Sequence, residues 1–170
     1  MSDGEHRPAA GTATKANALT ADELGAFMSA THPMTLTTER TDGYAHVTPL
    51  WYLWREGRLY FTLVEGRRHL RNLRRTPRAT ICVSEDDRPQ LGAAGRARAA
   101  MFAGPVELIG PVVVTDPASE IAQVLRTIAT RYLGSDAEAA LERAIGPDSG
   151  LRTMVILTPE VTMTFDLSKR

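Results

Sequence analysis

The chain has 170 residues, 43% of them hydrophobic and 24% charged, which is typical of one globular domain and excludes two large domains or a collagen-like chain. Twenty basic and twenty acidic side chains cancel, so the molecule as a whole lacks the positive field that collects nucleic acid or an anionic membrane. A single cysteine, Cys82, excludes a disulfide framework and a multi-cysteine metal site, and favours a cytoplasmic protein.

The start of the chain predicts a tail followed by a helix. Residues 1–18 are rich in Ala, Gly and Thr and have no apolar signal-peptide core, so we expect a mobile tail and one domain over 19–170. Thr20 and Glu23 have capping-box spacing and predict a short helix to about Ala30. No apolar run reaches about 18 residues, because Glu107 interrupts the longest, so we expect no membrane span.

The remaining chain predicts a strand-rich domain. Strands are expected at 34–39, 46–54, 59–64, 79–84, 96–109, 153–158 and 161–166, with turn signals at 42–43 and 56–57 and a kink at 104–105. Helices are expected at 67–75, from Asp116-Pro117 to Leu133, where Gly134 ends it, and at 135–145, with a loop at 85–95. Hairpin-linked strands without βαβ alternation predict an antiparallel barrel of the α+β class.

Six arginines stand within twelve residues, from Arg67 to Arg78, with no acid among them. Arg67 and Arg68 lie where the predicted helix begins, and the free amides of a first turn together with a guanidinium fork suit a phosphate. We expect Arg74, Arg75 and Arg78 to form a solvated face or to pair with acids. Binding of a nucleic-acid backbone is the less favoured alternative, because the net charge is zero.

Pro49 lies inside a run that otherwise has the pattern of a central strand, and a proline there belongs at an edge or a bulge. Such a position leaves backbone groups free for a ligand, and Trp51 or Tyr52 can cover a flat ring; plain core packing is the alternative. The four histidines show no metal-ligand spacing. Cys82 is expected to be a buried small hydrophobe, and no catalytic acid, base or nucleophile can be assigned.

Several motifs in order resemble the pyridoxamine-5′-phosphate-oxidase-like split β-barrel family, most of all its flavin and deazaflavin oxidoreductase branch. Within 19–83 they are TDGYAHVTPLWY, GRLYFT, RRHLRNLRRTPRAT and CV. Weaker blocks, GPVEL, RYLG and FDLSK, follow in the same order, so the resemblance covers about 19–169. It implies an antiparallel split β-barrel with a few peripheral helices, which forms a homodimer with two equivalent sites at the subunit interface.

The resemblance also implies a cofactor, FMN or coenzyme F420, and the residues that hold it. The residues expected at its phosphate are Arg67, Arg68, His69 and Asn72. Those expected along its ring are Thr48, Pro49, Leu50 and Trp51 on the proline-bearing strand, with Thr62 on the next strand. His69 departs from the family pattern, which commonly has lysine there; because a histidine is largely neutral at pH 7, the anion is held more weakly or the ligand differs.

The implied activity is hydride transfer from the cofactor to a small organic acceptor with an activated C=C, C=N or quinone-like group. The alternative is a non-catalytic protein that binds flavin, deazaflavin or haem for storage or sensing. Haem stays open as a ligand because some split barrels bind it and His69 offers an imidazole.

Overall fold

The computed structural model describes residues 17–87 and 95–169, which form four α-helices and eight strands. The helices are α1 (Ala21–Ser29), α2 (Arg68–Arg75), α3 (Glu120–Leu133) and α4 (Ala137–Ala144). The strands are β1 (Met34–Glu39), β2 (Ala45–Leu50), β3 (Leu53–Arg55), β4 (Arg58–Val64), β5 (Arg78–Asp86), β6 (Ala97–Val113), β7 (Leu151–Leu157) and β8 (Val161–Asp166). Every strand pair is antiparallel, as the hairpin pattern predicts.

The sheet has the strand order β2-β1-β5-β6-β7-β4-β3, and β8 pairs with β6. The 17-residue strand β6 joins the two halves, because 97–105 pairs with β5 and 106–113 pairs with β7. Gly104 lies at this crossing, where a Cβ would stand 2.1 Å from the carbonyl oxygen of Thr158. The predicted kink at 104–105 therefore marks the passage between the halves, but the strand does not end at 109: it continues to Val113.

The strand predicted over 46–54 is wrong as a single element. It divides into β2, an edge strand that pairs with β1, and β3, which pairs with β4 at the opposite edge. Between them Tyr52 turns into the core, fully buried, and its hydroxyl donates to the Met28 carbonyl at 3.1 Å. Arg131 donates to the Tyr52 carbonyl at 3.3 Å. The first strands therefore form two separate hairpins, and Pro49 lies on an edge strand as its chemistry requires.

The helix ends show which local signals are reliable. The capping box between Thr20 and Glu23 is formed. Asp116 is not the cap of α3; it accepts from the Ala118 amide at 2.8 Å in the preceding turn, and Ser119 caps the helix instead. Gly134 ends α3 with a positive φ of 55°, as predicted. The helix predicted over 135–145 is shorter, because a 3₁₀ turn occupies Gly134–Asp136 and α4 follows it.

Other boundaries fall at or beyond the described residues. The strand predicted over 79–84 is longer, at Arg78–Asp86, and most of the loop predicted after it lies outside the described residues. The predicted tail likewise lies outside them over 1–16. Contact with the domain begins inside the predicted tail, where the Ala18 carbonyl accepts from Lys169 Nζ at 3.1 Å. No helix within 17–87 and 95–169 is long and apolar enough to cross a membrane.

Two hydrophobic cores lie on opposite faces of strands β4 and β7. The alternation predicted for β4 is confirmed: Leu59, Phe61 and Leu63 enter the core enclosed by the sheet, whereas Tyr60 enters a second core beneath α3 and α4. In β7 the second core takes Met154 and Ile156. Burial of each such side chain contributes about 1.5–3 kcal/mol, so both faces of these strands hold the helices and the sheet together.

Candidate cofactor-binding site

A cavity of about 490 Å³ lies between the helix pair α3–α4 and the sheet, with residues of the junction of β2 and β3 in its lining. Its volume is within the range of pockets that hold small ligands. The residues that line it are Pro33, Pro49, Leu50, Trp51, Thr62, Leu125, Ile128, Ala129, Leu133, Ala140, Leu141, Ala144 and Arg152. The cavity thus brings together the residues that the resemblance places along a cofactor ring on two strands, except Thr48.

Trp51 forms the aromatic wall of the cavity. Its indole is 44% exposed and stacks on the ring of Tyr132, with 5.2 Å between ring centroids and 8° between planes. The Tyr132 hydroxyl in turn donates to the His32 carbonyl at 2.7 Å. Because this pair is fixed from behind, Trp51 keeps a flat apolar surface at the cavity, which suits a planar ring.

The described cavity lining holds few polar groups. Apart from the indole N–H of Trp51, they are the Thr62 hydroxyl and the Arg152 guanidinium. The lining has no carboxylate, imidazole or thiol, and the described part of the chain has no cluster of three or more His, Cys, Asp or Glu side chains arranged for a metal. The described wall therefore offers no carboxylate, imidazole or thiol as a general acid or base.

Sequence reasoning missed two parts of this cavity. Arg152 was not found because the predicted strand began one residue later, at 153. The walls from α3 and α4 were not found because helical periodicity shows which face is apolar but not which strand it covers. A lone arginine one residue before an apolar strand is the signal that could have directed attention to β7.

The start of α2 is a second locus with exposed positive charge. Arg67 is its N-cap residue and makes no side-chain capping bond. Neither Arg67 nor Arg68, both exposed, pairs with an acid within the described residues. The predicted pairing of the later arginines is confirmed: Arg74 binds both oxygens of Glu65 at 2.9 and 2.7 Å, Arg75 contacts Glu39, and Arg78 pairs with Glu160.

His69 lies beneath this helix start and not on its solvent face. Its residue is 8% exposed and its Nε2 is buried without a hydrogen-bond partner. Its ring stacks on His46 of β2, with 6.0 Å between centroids. Burial lowers the pKa of His69, and the nearby His46 and Arg67 lower it further. The imidazole is therefore neutral near pH 7, and an anion at this locus is what would favour its protonation.

The last two predicted site residues, Asn72 and Thr48, lie outside the cavity lining. Asn72 is buried and donates from Nδ2 to the Thr38 hydroxyl at 3.0 Å, which fixes α2 on β1. Thr48 is half-buried, with its hydroxyl 3.3 Å from His46 Nε2. The predicted residues thus fall into a group in the cavity lining, an exposed arginine pair and a set outside both. Strand β2 contributes Pro49 and Leu50 to the cavity lining and Thr48 to the third set.

Cys82 lies on β5, as predicted, but is only partly buried. Burial raises the pKa of its thiol, so it is not an activated nucleophile.

Residues 20–164 match the sequence profile of the pyridoxamine 5′-phosphate oxidase family. The chain belongs to this family. The match covers most of the domain and agrees with the antiparallel arrangement of strands, so the predicted family and its split-barrel fold are confirmed, whereas the flavin and deazaflavin branch and the homodimer stay predictions. No curated protein sequence matches the chain.

Solved structures share the fold at low sequence identity. A conserved hypothetical protein of Mycobacterium tuberculosis has a TM-score of 0.69 at 20% identity, with 89% of this chain and 88% of that one covered. An F420 reductase has a TM-score of 0.57 at 22% identity, with coverages of 81% and 94%. HutZ, described as the haem storage protein of Vibrio cholerae, has a TM-score of 0.58 at 20% identity, with coverages of 85% and 92%. At these identities the similarity establishes the fold alone.

Proposed function

We propose that this chain is a reductase that binds FMN or coenzyme F420 and transfers hydride to a small organic acceptor with an activated C=C, C=N or quinone-like group. The observation that carries the proposal is the 490 Å³ cavity, whose lining combines Pro49, Leu50 and Trp51 with Thr62 of β4. These residues come from opposite halves of the sheet, and they meet at a place with apolar walls and a fixed indole.

The residues present fit a cofactor with a planar ring and a phosphate. Trp51 and the apolar side chains of α3 and α4 suit the ring, and they exclude water from it. Arg67, Arg68 and the uncapped first turn of α2 suit the phosphate. When bound, a flavin or deazaflavin supplies hydride transfer. The chain itself contributes binding, orientation and a dry cavity, which agrees with a lining that lacks an acid or base.

Haem is the second candidate, in a non-catalytic storage or sensing protein. The neutral, partnerless Nε2 of His69 favours it, since haem iron takes a neutral imidazole nitrogen. The same nitrogen is buried beneath α2, however, and the described cavity lining offers no imidazole, thiol or thioether. Haem would therefore require a rearrangement around His69 that a flavin in the cavity does not.

The proposed assembly is a homodimer with the cofactor site at the subunit interface. One face of β8 exposes three large apolar side chains, Val161, Met163 and Phe165, at alternate positions. Near the cavity, Val112 and Leu151 are each at least 40% exposed. Apolar surface of this kind is typical of a face that another protein covers, and a second copy of this chain would cover it in a symmetric dimer.

Titrations of the purified protein with FMN, coenzyme F420 and haem test the proposed function, followed by tryptophan fluorescence and absorption. Ala140 lines the cavity, whereas its neighbour Ala139 is exposed on the outer side of α4. We expect FMN or coenzyme F420 to bind the wild type and Ala139→Phe alike, and Ala140→Phe about tenfold more weakly or worse, because the new ring fills the cavity.

Two results would overturn the proposal. Equal binding of the cofactor by Ala140→Phe and Ala139→Phe would move the site away from the cavity. Binding of haem alone, with a Soret band that His69→Lys shifts or abolishes, would replace the reductase with the haem-binding alternative.

A further inference from the structure

Arg152 places a positive charge in an otherwise apolar cavity. It lies near the start of β7, opposite Val64 of β4 and Val112 of β6. Strand alternation puts it on the same face as Met154, which belongs to the core beneath α3 and α4. The side chain therefore enters the cavity from its sheet wall, where it is half-buried.

No group within the described residues compensates this charge. Arg152 Nε is buried without a hydrogen-bond partner, and no ion pair involves the side chain. Other partly buried arginines of the domain have partners: Arg98 pairs with Glu85, and the terminal nitrogens of Arg131 donate to backbone carbonyls although its Nε has no partner either. Burial lowers the pKa of Arg152, but an arginine keeps its proton in proteins. A guanidinium in this position is costly unless an anion meets it.

We propose that Arg152 binds the carboxylate of the acceptor, so that the substrates of this chain are small, largely apolar carboxylic acids. The inference rests on the proposed function and narrows its substrate class. The planar guanidinium fork matches two carboxylate oxygens, and the apolar walls from Leu125, Ile128 and Leu141 suit a hydrocarbon or aryl body.

Thr62 adds a second polar contact in the same cavity. It stands opposite Met154 in the β4–β7 register, and Arg152 is two residues from Met154 on the same face. Diagonal neighbours in such a ladder lie roughly 7–8 Å apart. The Thr62 hydroxyl can therefore donate to an acceptor whose carboxylate is held by Arg152, and the two contacts together orient the molecule along the sheet wall.

Two other groups can supply oxygen atoms to Arg152, and the experiment must distinguish them from the carboxylate of the acceptor. One is the oxygen-bearing edge of the bound cofactor. An acidic side chain from a second copy of the chain is the other, since Leu151 and Val112 beside Arg152 are exposed. The experiment therefore measures acceptor binding, cofactor binding and oligomeric state on the same set of variants.

The test is calorimetric binding of trans-cinnamate and its neutral counterpart trans-cinnamamide to the full-length protein, without added cofactor and then with saturating cofactor. The variants are Arg152→Gln, Arg152→Lys and the control Arg126→Gln, which changes an exposed arginine on α3. We expect the wild type and Arg126→Gln to bind cinnamate about ten- to hundredfold more tightly than cinnamamide. Arg152→Gln should remove this difference, and Arg152→Lys should keep part of it.

Equal binding of cinnamate and cinnamamide by the wild type, or no binding of either at millimolar concentration, would overturn the proposal. The proposal would also be wrong if Arg152→Gln kept the preference for cinnamate. Weaker cofactor binding by that variant would then assign Arg152 to the cofactor, and dissociation of the dimer would assign it to the second copy of the chain. If the preference depends on Arg152 but no flavin or deazaflavin binds, the carboxylate site stands and the proposed reductase falls. Far-ultraviolet circular dichroism checks that each variant is folded.

Discussion

At the scale of single residues, pairing separates the arginines of α2 into two classes. Arg67 has no acid partner within the described residues, whereas Arg75 contacts Glu39. We predict that Arg67→Ala weakens binding of a phosphate-bearing cofactor by about 1.5–3 kcal/mol, the usual effect of losing a charge-assisted hydrogen bond. Arg75→Ala should change it far less in the same fluorescence titration. Equal losses at both positions would show that general positive charge drives binding.

His69 gives a prediction about pH and stability. Burial lowers its pKa in the folded protein, and His46 and Arg67 lower it further. The unfolded chain takes up a proton near the ordinary histidine value of about 6.5, before the folded protein does. The contribution of His69 to the free energy of unfolding is therefore fully present above about pH 6.5 and is lost as the pH falls through that value toward the lower folded pKa.

We expect urea unfolding between about pH 7 and pH 5 to show a smaller loss of stability for His69→Gln than for the wild type, because the glutamine variant lacks this proton uptake. Parallel pH profiles for the two proteins would contradict the burial of a neutral imidazole beneath α2.

At the scale of elements, one arginine of α3 holds the segment that separates β2 from β3. Arg131 donates to the carbonyls of Met28, at 2.7 Å, and of Ala30 at the end of α1, and to that of Tyr52 in the junction. The last carbonyls of a helix have no intrahelical partner, so a cation there satisfies them. We predict that Arg131→Met lowers the free energy of unfolding by about 2–3 kcal/mol.

Urea denaturation of Arg131→Met beside Arg126→Met measures this effect. Arg126 lies on the exposed face of the same helix, so its variant should remain within about 0.5 kcal/mol of the wild type. If both variants lost the same stability, Arg131 would matter only through the helix itself and not through its contacts to α1 and the junction.

Local signals in the sequence identify most elements, and long-range contacts explain the errors. The alternation of Leu59, Phe61 and Leu63 and the glycine after α3 are properties of neighbouring residues, and both predictions are confirmed. The break at Tyr52 depends on a hydrogen bond to Met28, 24 residues away in sequence. No local pattern around Tyr52 indicates that contact, so the sequence predicts a single strand over 46–54.

The same distinction applies to the candidate site. Pro49 stands out locally, because a proline inside a strand pattern is visible in the sequence, and the aromatic pair Trp51 and Tyr52 follows it; only the structure shows that Trp51 lines the cavity and Tyr52 is buried in the core. Arg152 does not stand out, because its place in an apolar cavity depends on the helices that pack over it. The depth of His69 is equally hidden, because the four arginines spread around α2 do not show which of its residues faces the sheet.

At the scale of the whole molecule, the exposed apolar face of β8 and the surface near the cavity predict association. We expect light scattering to give the mass of a dimer, twice the 18.6 kDa of one chain, at micromolar concentration. Met163→Lys should shift the protein toward monomer, because a charge at the centre of that face would be buried on association. A stable monomer of the wild-type protein would contradict this prediction.

The most direct test of the proposed reductase follows oxidation of reduced coenzyme F420 or reduced FMN, without oxygen, on mixing with 2-cyclohexenone, an imine or menadione. We predict that the wild-type protein accelerates the reaction with one of these acceptors about tenfold or more over the mixture without protein. Ala140→Phe should react at the background rate, whereas the control Ala139→Phe should accelerate the reaction as the wild type does. If the wild type binds the cofactor but accelerates none of the three reactions, the cavity belongs to a non-catalytic binding protein.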